Sequence, residues 1–459
     1  MAKKSKTMII ALAVLLLLGG GYYAATVHNR NSAQAFFDAL PPTASLGNLD
    51  SADIVRIEVS GMVLEREGER WELVSLNGHA PPRRFDLDQA LVRSKTFVLA
   101  TVWAERIADE APEDLSVFGL QEPSYRTVVT DSRGNSVVYL VGDITPFRTS
   151  YFVMREGNPA VHVVNEFSVD RLRFTLDDIR SRALFPQLPL HALSRVRIES
   201  AQAQIDMSII AEPRPPHLLS TFSRFAMTSP YALVRGVDSQ ALAALLSPLN
   251  NRRIEDFIND DPVSLVPYGL DDPVRLLLEF GDVGIDLLIG NQHGAVRYAK
   301  LAGSPEVFTV GGLEQIAAVR PFTLVDKFPL LMGIDEVSRL SITGGERPLQ
   351  ADFHGEGQEM VFYLDGHRIE DQPFREWYQT VIGLTIDAEK PSGHFSPPPE
   401  TITIVHHLKN PPGEVSITLI PFNRDFYALS QEGTLEFLVA RSQVRRIFQA
   451  ADDVLFFPR

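Results

Sequence analysis

Few residues in this chain have types and spacing that suggest chemistry. His406-His407 is the one adjacent histidine pair. In a strand, neighbouring side chains point to opposite faces, so the two do not readily chelate one metal ion, and they are read as strand residues. The acidic pairs Asp260-Asp261, Asp271-Asp272 and Asp452-Asp453 offer oxygens of the kind calcium takes. Calcium needs roughly six to eight oxygens, usually spaced along a loop with a glycine. These pairs lack that spacing and are read as solvated turns and helix ends. His354, His367 and His394 gather loosely in Gly-rich or Pro-rich sequence and are read as loop residues. A glycosidase needs two facing carboxylates, but among 58 acidic residues no pair stands out.

The chain has no cysteine, which excludes disulfides, thiol catalysis and Cys-ligated zinc. It contains no Gly-x-x-x-x-Gly-Lys phosphate loop, no Gly-x-Gly-x-x-Gly, no Gly-x-Ser-x-Gly elbow and no His-Glu-x-x-His. No catalytic residue, metal or cofactor is therefore assigned. Any nucleotide hydrolysis falls to a partner.

The composition is that of a folded protein, 45% hydrophobic and 22% charged, and 459 residues exceed what one core serves. The formal net charge is -15. Residues 1–30 carry Lys3, Lys4, Lys6 and Arg30 and no acid, so the body is more acidic still. That argues against nucleic acid, whose phosphates need Lys and Arg.

Thr7 to Val27 carry no charged side chain. As a helix the run would span roughly 31 Å, matching a hydrocarbon core of about 30 Å. Three lysines precede it, so the positive-inside bias puts the N-terminus in the cytoplasm and the body outside. Tyr22 and Tyr23 would lie at the outer interface. A retained anchor is the first reading and a cleaved signal peptide the second. Gly19, Gly20 and Gly21 are candidates for close helix packing.

The body repeats. Ser116 to Pro123, Ser-Val-Phe-Gly-Leu-Gln-Glu-Pro, returns at Val266 to Pro273 as Val-Pro-Tyr-Gly-Leu-Asp-Asp-Pro. In the same order, Val55 to Glu58 pairs with Val196 to Glu199, Val141-Gly142-Asp143 with Ile289-Gly290-Asn291, and Tyr151 with Tyr298. A third, eroded copy opens near residue 335 and lacks the aromatic-Gly-Leu. Shared order indicates duplication. Each copy reads as a hairpin, a helix after an acidic cap (Asp86, Asp238 or Asp371), the turn, three or four alternating strands and a closing helix. The predicted class is α+β: an N-terminal transmembrane helix, then three tandem related units with antiparallel sheets. The segments are 1–30 for tip and anchor, 31–52 for a spacer, and 53–190, 191–333 and 334–459 for the units. In the turn, Gly119 and Gly269 suit positive φ, Leu120 and Leu270 suit the core, and Pro123 and Pro273 start strands without needing a donor. Gly142 and Gly290 are read as turn residues.

These repeats resemble an uncharacterised bacterial domain family, a domain of unknown function. Its marks are an opening I-x-x-I-x-I strand, a W-x-L after a short hairpin (Trp71-Glu72-Leu73), and a Y-G-L-x-x-P turn (Phe118 to Pro123, Tyr268 to Pro273). An I-G strand end and a closing helix at Leu176-Asp177-Asp178 and Val325-Asp326-Lys327 complete them. The resemblance covers about residues 53 to 330. It implies a membrane-anchored protein outside the cytoplasm, encoded beside ABC-2-type exporters of the gliding-motility kind. It supplies no catalytic residue. The expected function is a non-enzymatic accessory or scaffold on the outer face of the bacterial cytoplasmic membrane, partnered by a multi-span ABC-type permease. The alternatives are a periplasmic binding module for glycan, lipid or peptide, with a groove lined by Phe118, Tyr151, Tyr268 and Tyr298, and an envelope hydrolase.

Overall fold

The computed structural model describes residues 45–185, 190–393, 395, 398–410 and 412–456. The apolar run Thr7 to Val27, with Gly19, Gly20 and Gly21, lies outside them. Among the described residues no helix is long and apolar enough to cross a membrane. The chain divides into two compact bodies, one up to Arg182 and one from Ala183 onward.

The first body holds one sheet. Its strands are β1 (Ile54–Val59), β2 (Met62–Glu67), β3 (Arg70–Leu76), β4 (Arg106–Asp109), β5 (Tyr125–Asp131), β6 (Ser136–Ile144), β7 (Ser150–Arg155) and β8 (Val161–Asn165), with helices α1 (Gln89–Ala100) and α2 (Glu166–Val169). Their order in the sheet is 3-2-1-5-6-7-8-4. Every pairing is antiparallel.

The second body holds two more sheets of the same plan. One is built from β9 (Arg195–Glu199), β10 (Gln204–Ile209), β11 (Phe225–Ser229), β12 (Arg235–Gly236), β13 (Phe257–Asn259), β14 (Val274–Phe280), β15 (Val283–His293), β16 (Val296–Leu301) and β17 (Val307–Val310). Its helices are α3 (Ser239–Leu246), α4 (Glu314–Ala317) and α5 (Pro321–Leu324). The other is built from β18 (Val337–Thr343), β19 (Leu349–His354), β20 (Val361–Leu364), β21 (His367–Ile369), β22 (Ala388–Glu389), β23 (Ile402–Leu408), β24 (Gly413–Pro421), β25 (Phe426–Gln431) and β26 (Thr434–Ala440). Its helices are α6 (Asp371–Ile382) and α7 (Arg441–Phe456). The orders are 12-11-10-9-14-15-16-17-13 and 21-20-19-18-23-24-25-26-22. Each repeats the first sheet with one short strand added at an edge.

The α+β expectation is therefore corrected. The described chain is mostly β, three antiparallel sheets of eight or nine strands, and only α1, α3, α6 and α7 reach eight residues. Side chains decide the difference where closing helices were expected. At Leu176-Asp177-Asp178, the Asp178 carboxylate accepts from the backbone N–H and hydroxyl of Thr175 at 2.7 and 2.8 Å, fixing a turn. At Val325-Asp326-Lys327, α5 stops at Leu324 and Val325 runs extended to bridge Val237. The expected acidic caps divide as well. Asp238 caps α3 by accepting from the backbone of Gln240 and Ala241. Asp88 rather than Asp86 caps α1, while Asp86 pairs with Arg70 at 3.3 Å. Asp371 opens α6 and Glu370 precedes it.

Period-two alternation builds the sheets. Along β23, Ile402, Ile404, His406 and Leu408 point inward and their neighbours outward. The outer faces carry cross-strand ion pairs: Arg195 and Arg197 with Asp206 at 2.6 and 3.0 Å, Arg275 with Asp286 at 2.6 Å and Arg339 with Asp352 at 2.7 Å. One core fills the first body around Ile57, Leu64, Trp71 and Tyr139. In the second body a single continuous core runs through both sheets.

Candidate functional site

The repeated signature folds into one device, used once in each body. A 3-10 turn at Leu115–Phe118, capped by Asp114, ends at Gly119 with φ 66°, and a turn at Val266–Tyr268 ends at Gly269 with φ 64°. A Cβ on Gly142 would overlap the Phe118 carbonyl, and one on Gly290 would overlap the Tyr268 carbonyl. Gly119 and Gly269 in turn sit on Asp143 and Asn291. Leu120 and Leu270, both 3% exposed, pack over Gly142 and Gly290. Gly142 and Gly290, expected as turn residues, instead lie within β6 and β15, and the two glycines of each signature are halves of one contact between turn and strand. Pro123 and Pro273 lead from the turn towards β5 and β14. Trp71, 2% exposed, is a core side chain whose backbone is held on both sides by the Gln89 side chain.

The aromatics of the signature pair within their own bodies. Phe118 meets Phe152 edge-on at 5.0 Å, and Tyr268 meets Tyr298 at 5.2 Å. Packing thus matches Tyr298 with Phe152, one residue beyond the Tyr151 that sequence order suggests. Tyr151 lies under Arg173, whose guanidinium sits 4.7 Å from the ring and donates to the hydroxyl at 2.9 Å.

The residues first singled out for chemistry are scattered. His406 is fully buried, with neither ring nitrogen hydrogen-bonded, beside the Tyr378 ring at 6.0 Å. Burial, with a smaller contribution from His407, pulls its pKa down to about 4. His407 faces the other way and meets Glu414 at 3.0 Å. His354 packs against Tyr363, His367 opens β21, and His394 lies outside the described residues. Asp260-Asp261 and Asp271-Asp272 are exposed turn residues, and Asp452 accepts from Arg347 at 2.8 Å. Among the described residues no three His, Asp or Glu side chains converge as metal ligands.

A buried polar site lies between the second and third sheets, inside one body. Arg235, 6% exposed, donates from Nε and Nη2 to Glu436 Oε2 at 3.0 and 2.5 Å, and from Nη1 to Gln431 at 2.7 Å. The other Glu436 oxygen accepts the Ala232 N–H. Arg235 also lies over the Phe437 ring, 4.8 Å from its centroid. Burial lowers the guanidinium pKa and the Glu436 carboxylate works against that fall. Around this centre, Tyr231 donates to Glu389 at 2.6 Å and His217 meets Glu432 at 2.8 Å. A cavity of about 30 Å³, lined by His217, Arg235, Asp326 and Gln431 among others, has room for about one water molecule. The chemistry available here is recognition between two sheets: a buried guanidinium, two of its N–H groups converging on one carboxylate oxygen, and aromatic cover.

A model of the domain of unknown function DUF4340 matches residues 79–273 and 226–379, together well over half the chain. The chain belongs to this family. No curated protein and no solved structure matches it. The two DUF4340 matches begin about one repeat apart but out of phase with the sheets. The first starts ahead of α1 and ends at Pro273, and the second starts within β11 and ends within α6. Each therefore crosses from the strands of one sheet into the opening strands and helix of the next. The second DUF4340 match contains Arg235 and Tyr231, but Glu436 and Gln431 lie beyond it. Sequence reading missed Arg235, Glu436 and Phe152. A usable signal did exist: three residues before the capping aspartate, the first body has Phe85 where the second has Arg235.

Proposed function

We propose that this DUF4340 protein is a non-enzymatic accessory or scaffold of a bacterial envelope transport complex. It acts outside the cytoplasm beside a multi-span permease, most simply one of the ABC-2 type. One observation supports the scaffold reading above others. In the buried polar site, Arg235, Gln431 and Glu436 spend their hydrogen bonds on holding two sheets together, which favours a rigid double-sheet body. Rigidity of that kind serves a spacer or arm. The acidic body beneath a basic first 30 residues is consistent with a body outside the cytoplasm. The apolar segment Thr7 to Val27, which this placement needs as its membrane anchor, lies outside the described residues.

The test is affinity capture of the full chain from native membranes in mild detergent, after short-range crosslinking. The expected result is a multi-span permease recovered in constant ratio over two purification steps, with crosslinks to the sheet bodies. Recovery of the chain alone would count heavily against the proposal. A periplasmic binding module is the second reading, favoured by a separate cavity in the third sheet unit.

A further inference from the structure

A cavity of 560 Å³ opens at one end of the third sheet, between the β18–β19 turn, the start of β23 and the start of α7. Its volume falls within the range of roughly 300–1,000 Å³ typical of small-molecule sites. Arg441, Arg445, Glu346 and Glu400 line it, with Tyr427 and Phe448 as apolar wall. None of these four charged side chains makes an ion pair or a side-chain hydrogen bond among the described residues. Elsewhere in the same body arginines engage carboxylates, as Arg235, Arg275, Arg339 and Arg347 do. Arg441 lies over the Tyr427 ring at 4.6 Å, and its Nε is buried without a partner. A buried donor left unpaired is disfavoured, so the Arg441 guanidinium has hydrogen-bonding capacity to spare. A bare anion on the arginines would also face two carboxylates, and a bare cation would face two guanidinium groups. A molecule carrying both charges satisfies both sides.

We propose that this cavity binds a compact zwitterion. Its anionic group sits on Arg441 and Arg445, its ammonium on Glu346 and Glu400, and its short apolar body against Tyr427 and Phe448. An α-amino acid and a phosphoethanolamine headgroup share this chemistry. The proposal does not rest on the transport reading.

Calorimetric titration of the full chain tests it, with L-valine and phosphoethanolamine as zwitterions and acetate and ethylammonium as single-charge controls. At least one zwitterion binds in the millimolar range or tighter, and each control binds at least about tenfold more weakly. Valine alone assigns a carboxylate as the anionic group, phosphoethanolamine alone a phosphate; either supports the site. Arg445→Ala and Glu400→Gln, both at exposed side chains, each weaken binding about tenfold and leave thermal unfolding unchanged. No zwitterion binding, controls binding equally well, or variants with unaltered affinity would overturn the proposal.

Discussion

At the scale of single residues, two buried groups set measurable terms. Among the described residues Glu436 has only Arg235 as a cationic partner, and Arg235 is nearly sealed from solvent. Arg235→Ala strands a largely buried carboxylate and should cost about 3 kcal/mol in urea unfolding, whereas the double variant Arg235→Met/Glu436→Leu should recover most of that loss. A double variant as weak as the single one would show that the charge pair is not the reason. His406 gives a pH dependence. Its folded pKa, about 4, lies below the ordinary 6.5, so the unfolded chain binds the extra proton first. The stabilisation is fully present above pH 6.5 and is lost as pH falls towards about 4, by up to about 3 kcal/mol. His406→Leu should flatten that part of the stability profile; an unchanged slope between those pH values would assign it to other groups.

At the scale of elements, the signature motif is a lock between a turn and a strand end. The prediction concerns Gly142 and Gly290, where an added Cβ overlaps a carbonyl oxygen rather than a flexible side-chain tip. Gly142→Ala and Gly290→Ala should each destabilise by about 1–3 kcal/mol. Hydrogen exchange should report the loss in β6 with the first variant and in β15 with the second. Alanine at Gly134, a turn glycine with open space beside it, serves as control for crowding, its positive φ being the remaining strain. Equal losses at all three positions would deny the lock.

At the scale of the molecule, the repeat count and the count of cooperative bodies differ. Three sheets share one plan, yet the second and third share one core. They should unfold together, and Arg235→Ala should lower hydrogen-exchange protection in β9–β17 and β18–β26 alike. Loosening of the third sheet alone would separate them.

The sequence by itself determined the repeat, the strands and the turns, because these rest on local physics. A short run rich in β-branched residues marked β1 at Ile54–Val59, and Gly-Leu-x-x-Pro marked a reversal that favours glycine at positive φ. Composition and the missing cysteines removed whole classes of chemistry. Only the tertiary structure decided the rest. In the first two units the closing helices gave way to turns or a single helical turn where Asp178 and the Val325–Val237 bridge offered the backbone other partners, while the third formed as α7. The short edge strands β4, β13 and β22 exist only by pairing with β8, β17 and β26 across long stretches of chain. Arg235 and Glu436, 201 positions apart, carry no local pattern. Their roles appear only when two sheets close on each other and exclude the water that would otherwise solvate both charges.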